Sequence, residues 1–289
     1  MTAHDPRLTP ARADLAAAHL KGLVDAPAYA EGRAMAGNAG KTWIRRRPAH
    51  DAPVETELLF GEAFHVYDVR DGFAWGQAAL DGYVGYVAEG DLSAAGAAPR
   101  WRVTASSTFV YARPDLKSPV QATLPMNARV AAGQGAYAQL AGGGFVYARH
   151  LAPLAATADD FVEVAERFVG VPYLWGGRTP LGFDCSGLVQ SALLLAGVVA
   201  PRDTDMQERA LGASIVAGPG LQGLRRGDLV FWKGHVGIMR DAVRLLHANA
   251  HHMTVASEPI SRAVARISAA GSEITSIRRL SQPGRTGSD

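Results

Sequence analysis

The chain contains one cysteine, Cys185, set in Asp184-Cys185-Ser186-Gly187 after the turn-rich segment that begins Pro172-Tyr173-Leu174-Trp175-Gly176-Gly177. A single cysteine excludes an intrachain disulfide and a cysteine-rich zinc site, and leaves a thiol that is either small buried filler or a nucleophile. Its neighbours bring the second use level with the first. Asp184 is a good helix N-cap, Leu188, Val189, Ala192 and Leu195 then share one helical face, and Gly197 lies at the stop. Cys185 therefore falls in the first turn of a helix, where exposed N–H groups and the positive end of the dipole favour a thiolate over a thiol of ordinary pKa near 8.5. With an imidazolium nearby, a thiolate ion pair is expected.

The base is His235. Arg226-Gly227-Asp228-Leu229-Val230-Phe231-Trp232 reads as a turn and a buried strand, Lys233-Gly234 as a turn, and His235-Val236-Gly237-Ile238-Met239 as the next strand. A histidine at the edge of a rigid strand can face a thiol at the start of a packed helix. His247 lies on the strand after that, Leu245-Leu246-His247-Ala248, and can hold the second ring nitrogen of His235; Asn249 shares its face and is the alternative orienter. A metal site built from His247, His251 and His252 is disfavoured, because the segment reads as strand and turn and no nearby glutamate completes the usual motif.

These groups need a scaffold, and 289 residues with 48% hydrophobic content supply two or three cores. The 29 basic against 27 acidic residues leave a net charge of only +2, which argues against nucleic acid as a partner; the run Arg45-Arg46-Arg47 reads as a solvated linker. The longest apolar stretch, Leu188 to Ala200, is interrupted by Gln190 and Ser191 and is too short to span a bilayer, so no membrane partner is expected. Asp14, His19 and Lys21 interrupt the N-terminus where a secretory signal would need an apolar core, and a cytoplasmic location is expected.

Residues 1–50 read as a leader and linker, with a short helix around Asp14 to Leu23. From 51 to 97, short β-type runs such as Phe64-His65-Val66-Tyr67-Asp68-Val69 alternate with Asp71-Gly72 and Asp81-Gly82 turns. Residues 101–154 repeat the grammar: Ala74-Trp75-Gly76-Gln77, Gly82-Tyr83-Val84-Gly85-Tyr86 and Leu92 are echoed by Ala136-Tyr137-Ala138-Gln139, Gly144-Phe145-Val146-Tyr147 and Leu151. Two small barrels follow from that repeat, and both segments resemble bacterial SH3-like domains. Beyond Pro153 the period becomes helical, with Phe161, Val162, Ala165, Phe168 and Val169 on one stripe stopped by Gly170-Val171-Pro172; the part after the Cys185 helix reads as strands, and 281–289 as a tail.

Residues 157–280 resemble the NlpC-type cysteine peptidase family through five ordered motifs: Pro-Tyr-Leu-Trp-Gly-Gly at 172–177, Asp-Cys-Ser-Gly-Leu-Val-Gln at 184–190, Arg-Gly-Asp-Leu-Val-Phe-Trp at 226–232, Gly-His-Val-Gly-Ile-Met at 234–239 and Leu-His-Ala-Asn at 246–249. The resemblance implies a multi-domain chain: two all-β SH3-like barrels followed by an α+β papain-like domain. In it Cys185 attacks, His235 is the base and His247 orients it, without a metal or organic cofactor. The implied partner is a small muropeptide, cleaved between the side-chain carboxyl of D-glutamate and a diamino acid. Family members with tandem SH3-like domains resemble dipeptidyl peptidases acting on muropeptides with a free N-terminal L-Ala, so Tyr173, Asp184 and Ser186 are expected to meet the peptide. Tyr83, with Glu57 or Glu55, is a candidate for its ammonium, although Tyr83 also fits a barrel core. Arg202 or Asp203 in Pro201-Arg202-Asp203-Thr204 is a candidate cleft residue. A non-catalytic wall-peptide binding module, or an amidase or acyltransferase on the same fold, are the competing functions.

Overall fold

Period-two burial builds the first half of the chain. Thr42 and Ile44 are buried in Lys41–Arg45, and Gly85 and Val87 in Val84–Ala88, while their neighbours face outward. In the computed structural model, which describes residues 4–281, the chain divides after Thr157 into two units. The first unit opens with a seven-stranded antiparallel sheet in the order Val54–Leu59, Lys41–Arg45, Val84–Ala88, Phe73–Ala78, Ala63–Arg70, Arg33–Gly37, Leu92–Ala94. Ile44, Leu58, Phe64, Val66, Ala74, Val87 and Leu92 form its core.

The expected leader over 1–50 is corrected by this sheet, because Arg33–Gly37 and Lys41–Arg45 are two of its strands. Both are short, and the basic run beginning at Arg45 disguises the alternation before it. Arg45 donates to the Ala52 carbonyl at 2.8 Å, and Arg46 pairs with Glu55 at 2.5 Å. The helix expected around Asp14 to Leu23 is a 3-10 turn at Ala18–Leu20, after a strand, Ala16–Ala17, that pairs with Tyr29–Ala30. Ala16, Ala17 and Leu20 are buried with Tyr29 and Tyr67 against them, so sequestration by the strands replaces helix propensity.

The same order of elements recurs after residue 100. The hairpin Phe73–Ala78 with Val84–Ala88 is followed by a 3-10 turn at Glu89–Asp91 and strand Leu92–Ala94; the hairpin Tyr137–Gln139 with Phe145–Tyr147 is followed by Ala148–His150 and Leu151–Pro153. This second part has a core of its own around Val103, Val110, Leu124, Val130 and Val146.

In the second unit four helices, α1 (Phe161–Glu166), α2 (Cys185–Leu195), α3 (Thr204–Ala210) and α4 (Ile260–Ala269), accompany a six-stranded antiparallel sheet. Its strands are labelled β1 (Ala213–Ile215), β2 (Leu229–Trp232), β3 (His235–Met239), β4 (Arg244–Asn249), β5 (Thr254–Pro259) and β6 (Ile274–Arg279), in spatial order β1-β6-β2-β3-β4-β5. Every residue of α2 is buried, and its polar side chains make hydrogen bonds: Ser186 donates to Asp184 at 3.3 Å, and Gln190 donates to the Ala200 carbonyl and Ser191 to the Arg178 carbonyl, both at 3.0 Å. α2 packs on β3 and β4, which brings the helix carrying Cys185 onto the strands carrying the two histidines. Reading the remainder as strands alone missed α3 and α4. α4 is amphipathic, with Ile260, Ala263, Val264 and Ile267 packed on Val230, Met239 and Leu245. The expected 281–289 tail falls outside the described residues from 282 onward.

One close approach ties the first turn of α2 to the preceding loop. Asp184 donates its N–H to the Gly177 carbonyl at 3.1 Å, and a Cβ on Gly187 would stand 2.1 Å from that oxygen. Gly187→Ala is expected to cost roughly 1–3 kcal/mol and to displace Cys185. An unchanged thermal midpoint in that variant would contradict so tight a contact.

Candidate active site

Cys185 is the first residue of α2, capped by Asp184, whose Oδ1 accepts the Gly187 N–H at 2.7 Å. Its sulfur is buried, lies 3.7 Å from Thr204 Oγ1 at the start of α3, and receives the backbone N–H of Val236, the residue after His235. The sequence reading missed Thr204, although it stands two residues beyond Arg202 in a segment already marked as cleft-forming.

The histidines meet as the strands predict. A turn with Gly234 at φ +74° starts β3 at His235, whose Nε2 is 2.8 Å from His247 Nδ1 on β4. His247 Nε2 is 2.9 Å from Glu258 Oε1 on β5, and Arg266 of α4 grips both Glu258 oxygens at 2.5 and 2.8 Å. Glu258 and Arg266 were not foreseen. The pleat supplies the physical reason: His247 shares a face with Leu245, which packs against α4, so its outer nitrogen is aimed where β5 and α4 converge. Asn249, the alternative orienter, instead donates to the His247 carbonyl at 3.3 Å and accepts from the His252 backbone and ring nitrogens, each at 2.9 Å.

The chain of contacts selects one tautomer. Glu258 is an anion held by Arg266, so His247 must offer it Nε2–H; His247 Nδ1 is then an acceptor and His235 must donate Nε2–H to it. His235 Nδ1 is left with a lone pair for the thiol proton. Thr204 and the backbone at Val236 frame the sulfur side, and the N–H of Cys185 at the first helical position has no acceptor within its own helix, which suits an oxyanion.

The resting protonation differs from the expected ion pair. Burial, and then the Asp184 carboxylate, push the Cys185 thiol up to about 11 against the lowering effect of Thr204, Val236 and Arg202. Burial, followed by the charges of His247 and Arg266, pushes His235 down to about 3; burial likewise lowers His247 to about 4 against the pull of Glu258. The Arg266 guanidinium, helped by His247, holds Glu258 down at about 2 despite burial. Desolvation opposes the helix dipole here and favours the neutral thiol and imidazole over the expected ion pair.

The expected peptide-reading groups divide. Both Asp184 oxygens are occupied: Oδ1 by Gly187 N–H, by Arg202 Nη1 at 3.0 Å and by the Ser186 hydroxyl at 3.3 Å, Oδ2 by Gly176 N–H at 2.9 Å and Arg202 Nη2 at 2.6 Å. Ser186 Oγ also accepts from Arg202 Nη1 at 2.8 Å, and Arg202 is 1% exposed. Asp184 thus locks the turn that carries Cys185. Tyr173 is half-buried, and its phenol is pushed up by burial and by Cys185 and Asp184, which places it beside the nucleophile. Tyr83, 2% exposed, belongs to the core of the first sheet, with its hydroxyl 3.5 Å from Glu55 Oε2. Glu57 is fully buried and pairs with Lys41 at 2.8 Å. Among the described residues, His247, His252 and Glu258 bring metal-ligand atoms within 4.8 Å of one another; His251 is outside this group.

Two outcomes are expected. Because the thiol pKa is raised, the rate of Cys185 alkylation by iodoacetamide should climb about tenfold per pH unit between about pH 7 and 9; a rate flat across that range would show a preformed thiolate–imidazolium pair. In Glu258→Gln, Arg266 retains the amide oxygen and the amide N–H faces His247, which reverses the tautomers, so kcat should fall at least about tenfold, toward the roughly 10⁴-fold loss that follows when a triad carboxylate becomes an amide. Full turnover in a folded Glu258→Gln variant would remove Glu258 from the relay.

Parts of the chain are similar to known proteins. Residues 44–92 match the bacterial dipeptidyl-peptidase SH3 domain and residues 170–268 match the NlpC/P60 family. The chain is 36% identical over 91 residues to dipeptidyl-peptidase 6 of Lysinibacillus sphaericus, covering 32% of each chain. It is 37% identical over 100 residues to a gamma-D-glutamyl-L-lysine dipeptidyl-peptidase of Bacillus subtilis, again covering 32% of each. These matches span about a third of the length of the curated relatives. An NlpC/P60 family protein from Bacillus cereus superposes with a TM-score of 0.72 at 19% identity, over 86% of this chain and 100% of that one, which shows a shared fold. With the Cys185 helix, the His235 and His247 strands and the sheet before them all in place, the chain combines a bacterial dipeptidyl-peptidase SH3 domain at 44–92 with an NlpC/P60 family domain at 170–268.

Proposed function

We propose that the protein is a cysteine peptidase that hydrolyses the amide between the γ-carboxyl of D-glutamate and a diamino acid in peptidoglycan-derived peptides, releasing L-Ala-D-Glu from muropeptides with a free amine during cytoplasmic recycling. The observation that carries the reading is the unbroken relay from His235 through His247 and Glu258 to Arg266, set against a cysteine at a helix start. A non-catalytic binding module has no use for a histidine whose tautomer is fixed by two further groups. The substrate class draws support from the relatives' names, one of which specifies a gamma-D-glutamyl bond.

We read the second unit as papain-like, with a nucleophile helix packed on an antiparallel sheet that carries the base, and residues 101–154 as a second SH3-like domain, because they repeat the element order of the first. In the reaction, His235 Nδ1 takes the Cys185 proton as the sulfur adds to the γ-carbonyl, and the backbone N–H of Cys185 receives the oxyanion. Collapse releases the diamino acid amine, protonated by His235, and leaves a thioester. Water activated by the same nitrogen then cleaves it.

The chain should cleave L-Ala-γ-D-Glu-diaminopimelate to L-Ala-D-Glu, and Cys185→Ala should abolish this while the thermal midpoint stays in place. Cleavage of the N-acetylated peptide at an equal rate would rule out a requirement for the free amine; turnover by Cys185→Ala would end the peptidase reading.

A further inference from the structure

The histidine-rich turn after β4 is unused by the mechanism above, yet it delivers His252 to the outer end of the relay. Ligand atoms of His247, His252 and Glu258 lie within 4.8 Å of one another, with His247 and Glu258 buried and His252 exposed. Two imidazoles and a carboxylate form a donor set suited to zinc, whose tetrahedral sites need Zn–N and Zn–O distances of about 2.0–2.2 Å and hence ligand atoms about 3.3 Å apart. His247 Nε2 and Glu258 Oε1 stand at 2.9 Å already. The remaining closure falls to His252, an exposed side chain held through its Nδ1 by Asn249 at 2.9 Å. A metal at Glu258 Oε1 must displace Arg266 Nη2, which donates to it at 2.5 Å, while Nη1 can keep Oε2 at 2.8 Å.

We propose that His247, His252 and Glu258 form an inhibitory zinc site which switches off the relay without touching Cys185. The inhibitory half of this inference rests on the peptidase reading; the binding half does not. Zinc on His247 Nε2 occupies the lone pair created when that nitrogen gives up its proton, so the ring's one proton resides on Nδ1 and points at His235. His235 Nε2 must then accept, and its own proton moves to Nδ1, the nitrogen that should take the thiol proton. Both rings remain neutral with one proton each, so protons balance. The base has lost its lone pair. The charge of Arg266 beside the site opposes a cation and sets the affinity in a range suited to reversible inhibition instead of permanent occupancy.

Peptidase activity should fall with sub-millimolar zinc chloride and return with EDTA. His252→Gln lies outside the relay and should keep the basal rate while requiring roughly 10- to 100-fold more zinc for the same inhibition. Equal zinc sensitivity in wild type and His252→Gln would place the inhibitory ion elsewhere and overturn the proposal, as would indifference of the wild type to zinc. Binding is read separately in Cys185→Ala, where no thiol can hold the metal: zinc should raise its thermal midpoint, and the double variant Cys185→Ala/His252→Gln should lose that rise. A rise that survives in the double variant overturns the site. Should the peptide prove not to be a substrate, the thermal shift still decides whether zinc binds here.

Discussion

A neutral imidazole can act as a base only through the nitrogen that lacks a proton, and in this protein that choice is made by groups that never approach the thiol. Arg266 keeps Glu258 ionised, Glu258 demands a proton from His247 Nε2, and His247 Nδ1 demands one from His235 Nε2. Each link is a donor facing an acceptor, so the polarity set at α4 reaches β3 unchanged. Burial makes the arrangement strict: with His247 only 1% exposed, water cannot replace a missing partner, and a reversed link costs a desolvated polar group.

The same low-polarity environment favours the neutral thiol at Cys185. A helix start and nearby donors favour a thiolate, but loss of solvation and the neighbouring Asp184 charge outweigh them. Asp184 remains where it is because Arg202 neutralises it and because it holds the loop at Gly176 and the turn at Gly187 together. A buried ion pair adds little net stability, while removal of one partner leaves an uncompensated charge. Its value here is geometric, since it fixes the point at which α2 begins and therefore where the sulfur stands.

The first unit carries a different constraint. Its sheets are built from short strands whose inward residues are largely apolar, and charged groups in the interior are held by partners, Glu57 by Lys41, Glu62 by the Leu59 N–H and Arg102 by the Leu154 carbonyl. Tyr83, attractive as a ligand contact because it stands in a Gly-Tyr-Val-Gly-Tyr run, is drawn inward by the same packing. An aromatic ring on a half-buried strand gains more from apolar burial than from solvent exposure.

Local chemistry along the chain determined much of the second unit: the N-cap and apolar face that start a helix at Cys185, the turn and strand that present His235, and the neighbouring strand that brings His247 beside it. These features depend on residues within one element or two adjacent ones, and their periodicity is visible without coordinates. The third dimension decided what lies at the ends. Glu258 joins the relay through strand pairing and Arg266 through a helix packed on those strands; Arg202 reaches Asp184, and Thr204 reaches Cys185, from a loop 18 and 19 residues away. The strands within 1–50 were likewise hidden, because Arg33–Gly37 and Lys41–Arg45 are recognisable only once their partners are known. Periodicity reports which face of an element is buried. Which distant side chain meets that face, and whether the lost solvation reverses a protonation state, depends on packing that no single segment encodes.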